Sequence, residues 1–305
     1  ESQMNLFCVV AAIAAKKWNC AVKLRPDRDQ DMTSTGKRHD FIIDYDVTFN
    51  DDGLINAVDS IFSARCGYSS DLSGPVTDRA LFHADNAYYY PNVRLKSRPM
   101  KTNTVSNTAF RGFGGPQACF AIEMQINKLA RKMGIDPVEL RLRNAIKEGQ
   151  PTAVRSPLPK GISIEKVIHA CAEKTNWESR LLNKKQNGKS NILHGVGFAA
   201  GFKNVGFSYG APENCWAEVE LIGDEGIEKV VLRHAGADVG QGAHSAFLQI
   251  VSDAVNVPIE KVQLIASDTA ETGNSGSASA SRMTFMAGNS ILGAANAALK
   301  KWKQG

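Results

Sequence analysis

Apolar and polar residues follow patterns along this chain that predict a mixture of helices and strands. Residues 2–17 are rich in Ala, Leu and Val and predict a buried helix. A long β-hairpin is predicted where FIIDYDVTF (41–49) alternates apolar with polar positions, turns at DDG (51–53) and continues in a second arm. The predicted strands of this part of the chain lie at 19–25, 41–49, 54–66 and 93–105.

Helix boundaries are marked in the middle of the chain. Pro116 lies at the first position of a predicted helix that runs to Lys132, and Gly134 follows its end. Asp136 and Pro137 predict the start of the next helix. Residues 148–162 contain three prolines and two glycines without an apolar period, so they predict a linker.

A second unit follows, with a hairpin predicted around the turn at 223–226 and helices at about 243–255 and 284–303. We therefore predict an α+β fold of two α/β subunits, whose mixed or antiparallel sheets are flanked by helices. The predicted domains are residues 1–147, a linker with helices at 148–192, and residues 193–305.

Composition and charge exclude several classes of protein. The chain has 305 residues, 43% hydrophobic and 22% charged, and its net charge of +5 is spread without a basic run, so no nucleic-acid partner is predicted. None of the six cysteines forms a CxxC pair, which predicts a reduced, cytoplasmic protein without a zinc or iron–sulfur motif. The longest apolar run, 6–15, is about half of the roughly 20 residues that a membrane span needs. Because the chain starts at Glu1, we expect a fragment, a processed chain or part of a larger subunit.

Three loops become rich in small residues just before a predicted helix. They are TAFRGFGGPQACF (108–120), GADVGQGAHS (236–245) and TGNSGSASASRMT (272–284). Exposed backbone N–H groups and the helix dipole would make such loops suitable for an anionic ligand, and glycine allows a ligand to approach the backbone. None matches GxGxxG or GxxxxGK[ST]. The simpler interpretation is a tight connection from strand to helix.

Other residues have plain structural interpretations. His83 and His244 have no partner at metal-ligand spacing and are predicted to be structural. Asp27, Asp29 and Asp31 resemble a metal-binding run, but no glycine or glutamate follows at calcium-loop positions. We predict that they cap a helix or lie on the surface.

A family resemblance rests on long segments in the same order. TNTVSNTAFRGFGGPQACFAIE (102–123) resembles the signature of the xanthine dehydrogenase and aldehyde oxidase family of molybdenum hydroxylases. Segments 27–41, 78–94 and GADVGQGAH (236–244) are also similar to the molybdopterin-binding region of that family. The resemblance covers nearly the whole chain apart from about 148–192, and implies the middle part of that region.

The resemblance implies a set of site residues. Arg111 matches an arginine beside the molybdenum centre, and Phe113 and Phe207 match two phenylalanines that hold a planar substrate ring. No side chain of this chain is implied to ligate the metal directly. The residues implied to contact the cofactor are Arg111, Gly112, Phe113, Gly114, Gly240, Gln241 and Ala280.

Two residues bear on the substrate. Arg79 matches the arginine that purine-hydroxylating members direct at the substrate, and Glu1 matches, by spacing, a glutamate that accompanies it. Arg79 and Arg111 are therefore the implied catalytic residues. A guanidinium could stabilise the negative charge that develops on an electron-poor ring. The alternative is that Arg79 pairs with Asp78 or Asp85 at the surface.

The resemblance further implies a molybdenum–pyranopterin cofactor, as molybdopterin or its cytosine dinucleotide, with 2Fe–2S clusters and FAD on other domains or subunits. The implied substrate is a small heterocycle, namely a purine such as xanthine or hypoxanthine, with water as the oxygen source. The family's general base is a glutamate in a C-terminal segment that this chain lacks. We therefore expect the chain to be incomplete without the remaining parts of the molybdopterin region.

Three alternatives stay open. The enzyme could oxidise aldehydes or another aromatic heterocycle within the same family. The chain could be a non-catalytic cofactor-binding or assembly module that lost the chemistry, although intact AFRGFGG and VGQG loops argue against this. A nucleotide-binding protein using these loops for ATP is disfavoured because a Walker lysine is absent.

Overall fold

The computed structural model describes residues 4–179, 195–207, 212–266, 268–279 and 282–304. The chain forms two compact units, Glu1–Lys203 (unit 1) and Asn204–Gly305 (unit 2). Within the described residues, no helix has both the length and the apolar character needed to cross a bilayer.

Three strands and six helices of unit 1 have both of their ends within the described residues. They are α1 (Met4–Trp18), α2 (Arg28–Ser34), β1 (Phe41–Phe49), β2 (Ile55–Gly67), α3 (Ser73–Phe82), β3 (Asn92–Lys101), α4 (Gly115–Met133), α5 (Pro137–Asn144) and α6 (Ile164–Lys174).

The predicted hairpin forms two of the three strands of the sheet in unit 1. β1 and β2 pair antiparallel, with Tyr45 opposite Ser60, and β3 then pairs parallel to β2 after the chain has crossed through α3. The sheet is therefore mixed, in the order β1-β2-β3. One face packs on α4, where Val58 of β2 joins a core with Ile122 and Ile126.

The helix boundaries follow the sequence signals. Helix α4 has Pro116 in its first turn and ends at Gly134, whose left-handed backbone (φ +68°) lets its N–H reach the carbonyl of Ala130. The carboxylate of Asp27 caps α2 by accepting the N–H of Gln30. Both predictions are confirmed, and the aspartate run belongs to a helix cap.

Two predictions near the N-terminus are wrong. Residues 19–25 form no strand, because no neighbouring strand provides hydrogen bonds for them. Helix α1 forms, but it is not buried: Leu6, Val9 and Ile13 are 56–62% exposed. The apolar composition of α1 was sufficient to predict a helix but not to predict contacts with the rest of unit 1.

Unit 2 repeats the order of elements found in the middle of unit 1. Its elements are β4 (Glu218–Ile222), β5 (Lys229–His234), α7 (Ala243–Val255), β6 (Val262–Ala266) and α8 (Met283–Trp302). β4 and β5 form the predicted antiparallel hairpin, and β6 pairs parallel to β5 after α7. Phe247 of α7 and Ile291 of α8 are fully buried in its core. The predicted α+β class with mixed sheets is confirmed.

The two units divide later in the chain than the predicted domain limit at 192/193. Residues 195–203 belong to unit 1, where Phe198 and Phe202 pack with Trp177 of the segment predicted as a linker. The amide of Ala153 in the same predicted linker donates to the buried carboxylate of Asp85. The linker region therefore contributes to the core of unit 1.

Candidate cofactor and substrate site

The RGFGG loop before α4 has a strained backbone. Gly112, Phe113 and Gly114 have φ values of +91°, +54° and +99°, and such a conformation is uncommon for phenylalanine. A Cβ on Gly114 would lie 2.2 Å from the carbonyl oxygen of Val76 in α3. The glycines are thus needed for backbone conformation and for close contact with α3, and room for a ligand is not their only explanation.

Arg38 contacts this loop through a hydrogen bond and through the ring of Phe110. Its Nη2 donates to the carbonyl of Arg111 at 2.5 Å, and its Cζ lies 4.4 Å from the ring centre of Phe110. Burial lowers the pKa of Arg38, and its Nη1 is buried without a hydrogen-bond partner among the described residues. Arg111 itself is exposed. Sequence reasoning missed Arg38, although the TGKRHDF segment that contains it was part of the family resemblance.

Arg79 lies in the last turn of α3 and is half-buried, with its Cζ 5.8 Å from the ring centre of Phe82. Burial lowers the pKa of its guanidinium. Asp85, one of the two suggested partners of Arg79, accepts the amide of Ala153, and burial raises its pKa to about 6. Arg79 is therefore a partly desolvated cation one helical turn before His83.

His83 connects α3 to the RGFGG loop. Its side chain is only 5% exposed, and its Cδ2 lies 3.1 Å from where a Cβ on Gly115 would be. Burial, together with the charges of Lys203 and Arg79, lowers the pKa of His83 to about 4, so the ring is neutral near pH 7. Its Nε2 is buried without a hydrogen-bond partner in the described part of the chain. The prediction that His83 is structural agrees with its burial, and its position also places it at the candidate site.

A buried polar cluster holds residues 200–202 beside α4 and the turn that follows α3. Glu123 of α4 accepts hydrogen bonds from the fully buried Arg141 at 2.7 and 3.0 Å, from Asn86 at 3.0 Å and from the amide of Ala200 at 3.1 Å. The amide of Phe202 donates to Asn86 at 3.2 Å. These bonds determine where the chain continues into Lys203.

In unit 2, the VGQG loop before α7 is open on one side. A Cβ on Gly240 or Gly242 would meet no atom within 4 Å, although both have positive φ values, +102° and +82°. The carboxylate of Asp238 accepts the N–H groups of Gly240 and His244 at 2.8 and 3.1 Å, and these bonds lower its pKa. Asp238 therefore already accepts some of the N–H groups that were expected to be free at this helix start. Gln241 donates back to the carbonyl of Ala237 at 2.9 Å.

Phe207 lies in unit 2 beside a buried ion pair. Arg282, 1% exposed, pairs with Glu213 and donates to the carbonyl oxygens of Ser277 and Asn214. Glu213 accepts the amide of Phe207 at 2.8 Å, and the Cζ of Arg282 lies 5.6 Å from the Phe207 ring centre. Arg282 thus connects the Phe207 loop to the serine-rich loop, a role that the sequence did not indicate. Two predicted site residues, Glu1 and Ala280, lie outside the described residues.

A cysteine–histidine contact in unit 2 does not form a nucleophile–base pair. The Sγ of Cys215 lies 3.4 Å from Nε2 of His234. The Nδ1 of His234 accepts the amide of Gly236 at 2.9 Å, and burial lowers the histidine pKa to about 4. The neutral ring therefore carries its proton on Nε2 and cannot accept the thiol proton there.

No group of three or more His, Cys, Asp or Glu side chains in the described ranges is arranged to hold a metal ion. The features that suit a ligand are instead an exposed arginine in a strained loop, an open glycine loop and a partly buried arginine. Each of them is a candidate contact for a bound organic cofactor or its substrate, the two arginines in unit 1 and the glycine loop in unit 2.

Comparison with known proteins also points to a bound organic cofactor. Two family models of the molybdopterin cofactor-binding domain match residues 2–145 and 170–304. Xanthine dehydrogenase from Dictyostelium discoideum is 35% identical over 96% of this chain, and nicotinate hydroxylase from Emericella nidulans is 32% identical over 95%. The crystal structure of aldehyde oxidoreductase from Desulfovibrio desulfuricans covers 91% of this chain with a TM-score of 0.80 and 30% identity.

The chain belongs to the xanthine dehydrogenase and aldehyde oxidase family of molybdenum hydroxylases, and it consists of molybdopterin cofactor-binding domains. The family predicted from the sequence is confirmed. The chain spans 22% of the length of the two curated relatives and 30% of the aldehyde oxidoreductase chain.

Proposed function

We propose that this chain is part of the catalytic site of a molybdenum enzyme that hydroxylates a purine, such as xanthine or hypoxanthine, or a similar N-heterocycle, with water as the oxygen source. The main support is the position of Arg79, a half-buried cation one turn from His83, whose ring packs on the RGFGG loop. Xanthine dehydrogenase and nicotinate hydroxylase, two of its relatives, are both named for N-heterocycles.

The loops of this chain fit a molybdenum–pyranopterin cofactor. Gly240 and Gly242 leave open space where a bulky group could lie against the backbone. In this proposal Gly240, Gln241, Arg111 and Gly112 contact the cofactor, as molybdopterin or its cytosine dinucleotide, and Phe113 packs against the substrate ring. When bound, the cofactor supplies the two-electron redox chemistry of hydroxylation.

The remaining parts of the proposed enzyme lie beyond this chain. We propose that the general base is a glutamate of the missing region and that 2Fe–2S clusters and FAD are on other domains or subunits. A cytoplasmic location is part of the same proposal.

Arg79 would stabilise negative charge that develops on the substrate ring. A partly desolvated guanidinium interacts more strongly with such charge than a fully solvated one does, because the local dielectric is lower. Its charge would not change near neutral pH, since arginine stays protonated in proteins. Arg79 would therefore contribute mainly to the transition state.

The experiment is steady-state kinetics of the complete enzyme that contains this chain. We expect Arg79→Met to lower kcat/KM for hypoxanthine about 100- to 1,000-fold. Arg98→Met, which removes an exposed arginine of β3, is the matched control and should have little effect. Unchanged hypoxanthine turnover in Arg79→Met would overturn the proposed role.

A second candidate is an aldehyde or other aromatic-heterocycle oxidoreductase. The similarity to aldehyde oxidoreductase, with a TM-score of 0.80, favours it. In that case aldehydes should be turned over far faster than hypoxanthine, and Arg79→Met should hardly affect them. A complete assembly without molybdenum would instead indicate a non-catalytic module.

A further inference from the structure

Arg282, the residue immediately before α8, is a buried cation with three contacts in unit 2. It is only 1% exposed. Its Nε pairs with Glu213, its Nη1 donates to the carbonyl of Ser277 at 2.5 Å, and its Nη2 donates to the carbonyl of Asn214 at 2.8 Å. Because all three nitrogens of the planar guanidinium have partners, these contacts determine its orientation.

The guanidinium packs against the serine-rich loop, residues 272–284. A Cβ on Gly276 would lie 3.0 and 3.1 Å from the two Nη atoms of Arg282, so a side chain at this position would crowd the arginine. The hydroxyl of Ser275, which is also 1% exposed, donates to the carbonyl of Trp216 at 2.9 Å. Arg282 therefore lies against a loop whose own position is held by a buried hydrogen bond.

Glu213 connects the arginine to Phe207. One carboxylate oxygen, Oε2, pairs with Arg282, and the other, Oε1, accepts the amide of Phe207 at 2.8 Å. A Cβ on Gly206 would lie 2.7 Å from Oε1, so the carboxylate approaches the backbone closely at this point. The Cζ of Arg282 lies 5.6 Å from the ring centre of Phe207, within the range of a cation–π contact. The pair thus contacts both the backbone and the ring of Phe207.

Stability alone does not require a charged pair at this place. Burying two charges costs about as much as their attraction returns, so apolar side chains of similar volume can stabilise a core equally well. Apolar side chains could not accept the Phe207 amide, and they could not donate to the carbonyls of Ser277 and Asn214. The directions of these hydrogen bonds therefore point to a positioning role for the pair.

We propose that Arg282 and Glu213 are positioning residues, which hold Phe207 where its ring can pack against a planar aromatic substrate. This inference rests on the proposed function, because it assumes that Phe207 contacts the substrate ring. It goes further by naming two residues that touch neither substrate nor cofactor and act on the substrate through Phe207.

The double variant Arg282→Met, Glu213→Met of the complete enzyme tests this inference without leaving a buried charge unpaired. We expect a Tm close to that of the parent, faster hydrogen exchange of the Phe207 amide and unchanged exchange in α7. KM for hypoxanthine should rise about 3- to 10-fold, which corresponds to one aromatic contact, while kcat changes less than about twofold. If the double variant did not fold, Arg282→Lys should raise the same KM, because lysine keeps the charge but lacks the fork of donors.

Phe207→Ala supplies the measurement that a merely structural role would not affect. If the pair acts through Phe207, the double variant should hardly change KM further in the Phe207→Ala background, because the ring contact is already lost. Additive effects on KM, or an unchanged exchange rate of the Phe207 amide, would refute the inference. Arg233→Met is the matched control, since Arg233 of the same unit pairs with the half-exposed Glu218 and Glu220, and its KM should equal that of the parent.

The outcomes separate this inference from the proposed function. If hypoxanthine were hydroxylated but Phe207→Ala left its KM unchanged, the inference would fail and the proposed function would stand. If the complete enzyme oxidised only aldehydes, the proposed function would fail, and the double variant should then raise KM for benzaldehyde, which has an aromatic ring, but not for acetaldehyde, which has none. Equal changes for the two aldehydes would refute the inference in that case.

Discussion

Replacing Arg141 by methionine tests whether the buried polar cluster holds unit 1 together. Arg141 is fully buried in α5 and donates to Glu123 through Nε and Nη2, to Pro137 at 2.8 Å and to Asn127 at 3.0 Å. Methionine fills much of the volume but supplies no donor. The carboxylate of Glu123 would then remain buried without its cation.

The size of the effect follows from burial. Breaking one side of a buried ion pair costs about 3–5 kcal/mol, because the remaining charge stays desolvated. Glu123 still accepts hydrogen bonds from Asn86, Tyr88 and Ala200. We therefore expect the loss in the free energy of unfolding to lie at the lower end of this range, about 3 kcal/mol. For a unit of this size, that corresponds to a fall in Tm of roughly 6–12 °C.

Arg143 on the same helix provides a matched control. It pairs with Glu139 four residues earlier at 3.0 Å, and both side chains are substantially exposed. Arg143→Met should therefore cost at most about 1 kcal/mol. Thermal unfolding of the complete enzyme and hydrogen exchange of the Ala200 amide, followed by mass spectrometry, measure both variants. Arg141→Met should also increase the exchange rate at Ala200, whose amide donates to Glu123.

The double variant with Glu123→Gln separates charge from packing. If the buried charge causes the loss, Arg141→Met combined with Glu123→Gln should cost less than the sum of the single changes. Equal destabilisation by Arg141→Met and Arg143→Met, or a strictly additive double variant, would refute the argument. Loss of packing alone would predict additivity.

Three further predictions concern the loops. Gly114→Ala should lower the free energy of unfolding by at least about 2 kcal/mol, because its Cβ would lie 2.2 Å from the Val76 oxygen. Gly134→Ala, whose Cβ would lie in open space, should lower it by about 1 kcal/mol. Chemical unfolding measures both variants. The folded-state pKa of Asp238 is lowered, so this carboxylate stabilises the fold above pH 3.8 and the stabilisation is lost as the pH falls through the folded pKa. Asp238→Asn should remove this pH dependence of Tm. His83 has a pKa lowered from 6.5 to about 4, so unfolding should become easier as the pH falls through this interval, and His83→Gln should flatten the profile.

Local signals in the sequence predicted the fold well where short-range physics decides it. The 41–67 hairpin, the turn at 223–226, the end of α4 at Gly134 and the cap at Asp27 all depend on neighbouring residues. Parallel pairing of β3 with β2 depends on a crossover through α3, and no local pattern specifies that partner. The exposure of α1 was missed for the same reason, because a helical pattern does not show what covers the helix.

The candidate site was predicted unevenly for a related reason. Arg79, Arg111 and the glycine loops lie in segments that resemble a family, so their importance could be inferred from the sequence. Arg38 acts through a hydrogen bond to Arg111, which is distant along the chain, and it does not belong to a catalytic motif. The roles predicted for Phe113, Phe207 and the cofactor-binding glycines stay predictions.

Glycine has different structural roles in the RGFGG loop and in the VGQG loop. Gly114 is required because α3 lies against its backbone, so even a small side chain there would displace a helix. Gly240 and Gly242 have open space around them, so their absent side chains leave a surface free, while Asp238 holds the helix start. A ligand contact of the glycines is therefore better supported in the VGQG loop. In the RGFGG loop, Arg111 and Phe113 are the residues that we expect to contact a ligand. Substitutions at Gly114 should first affect stability, whereas alanine at Gly240 should affect cofactor content with less effect on unit 2.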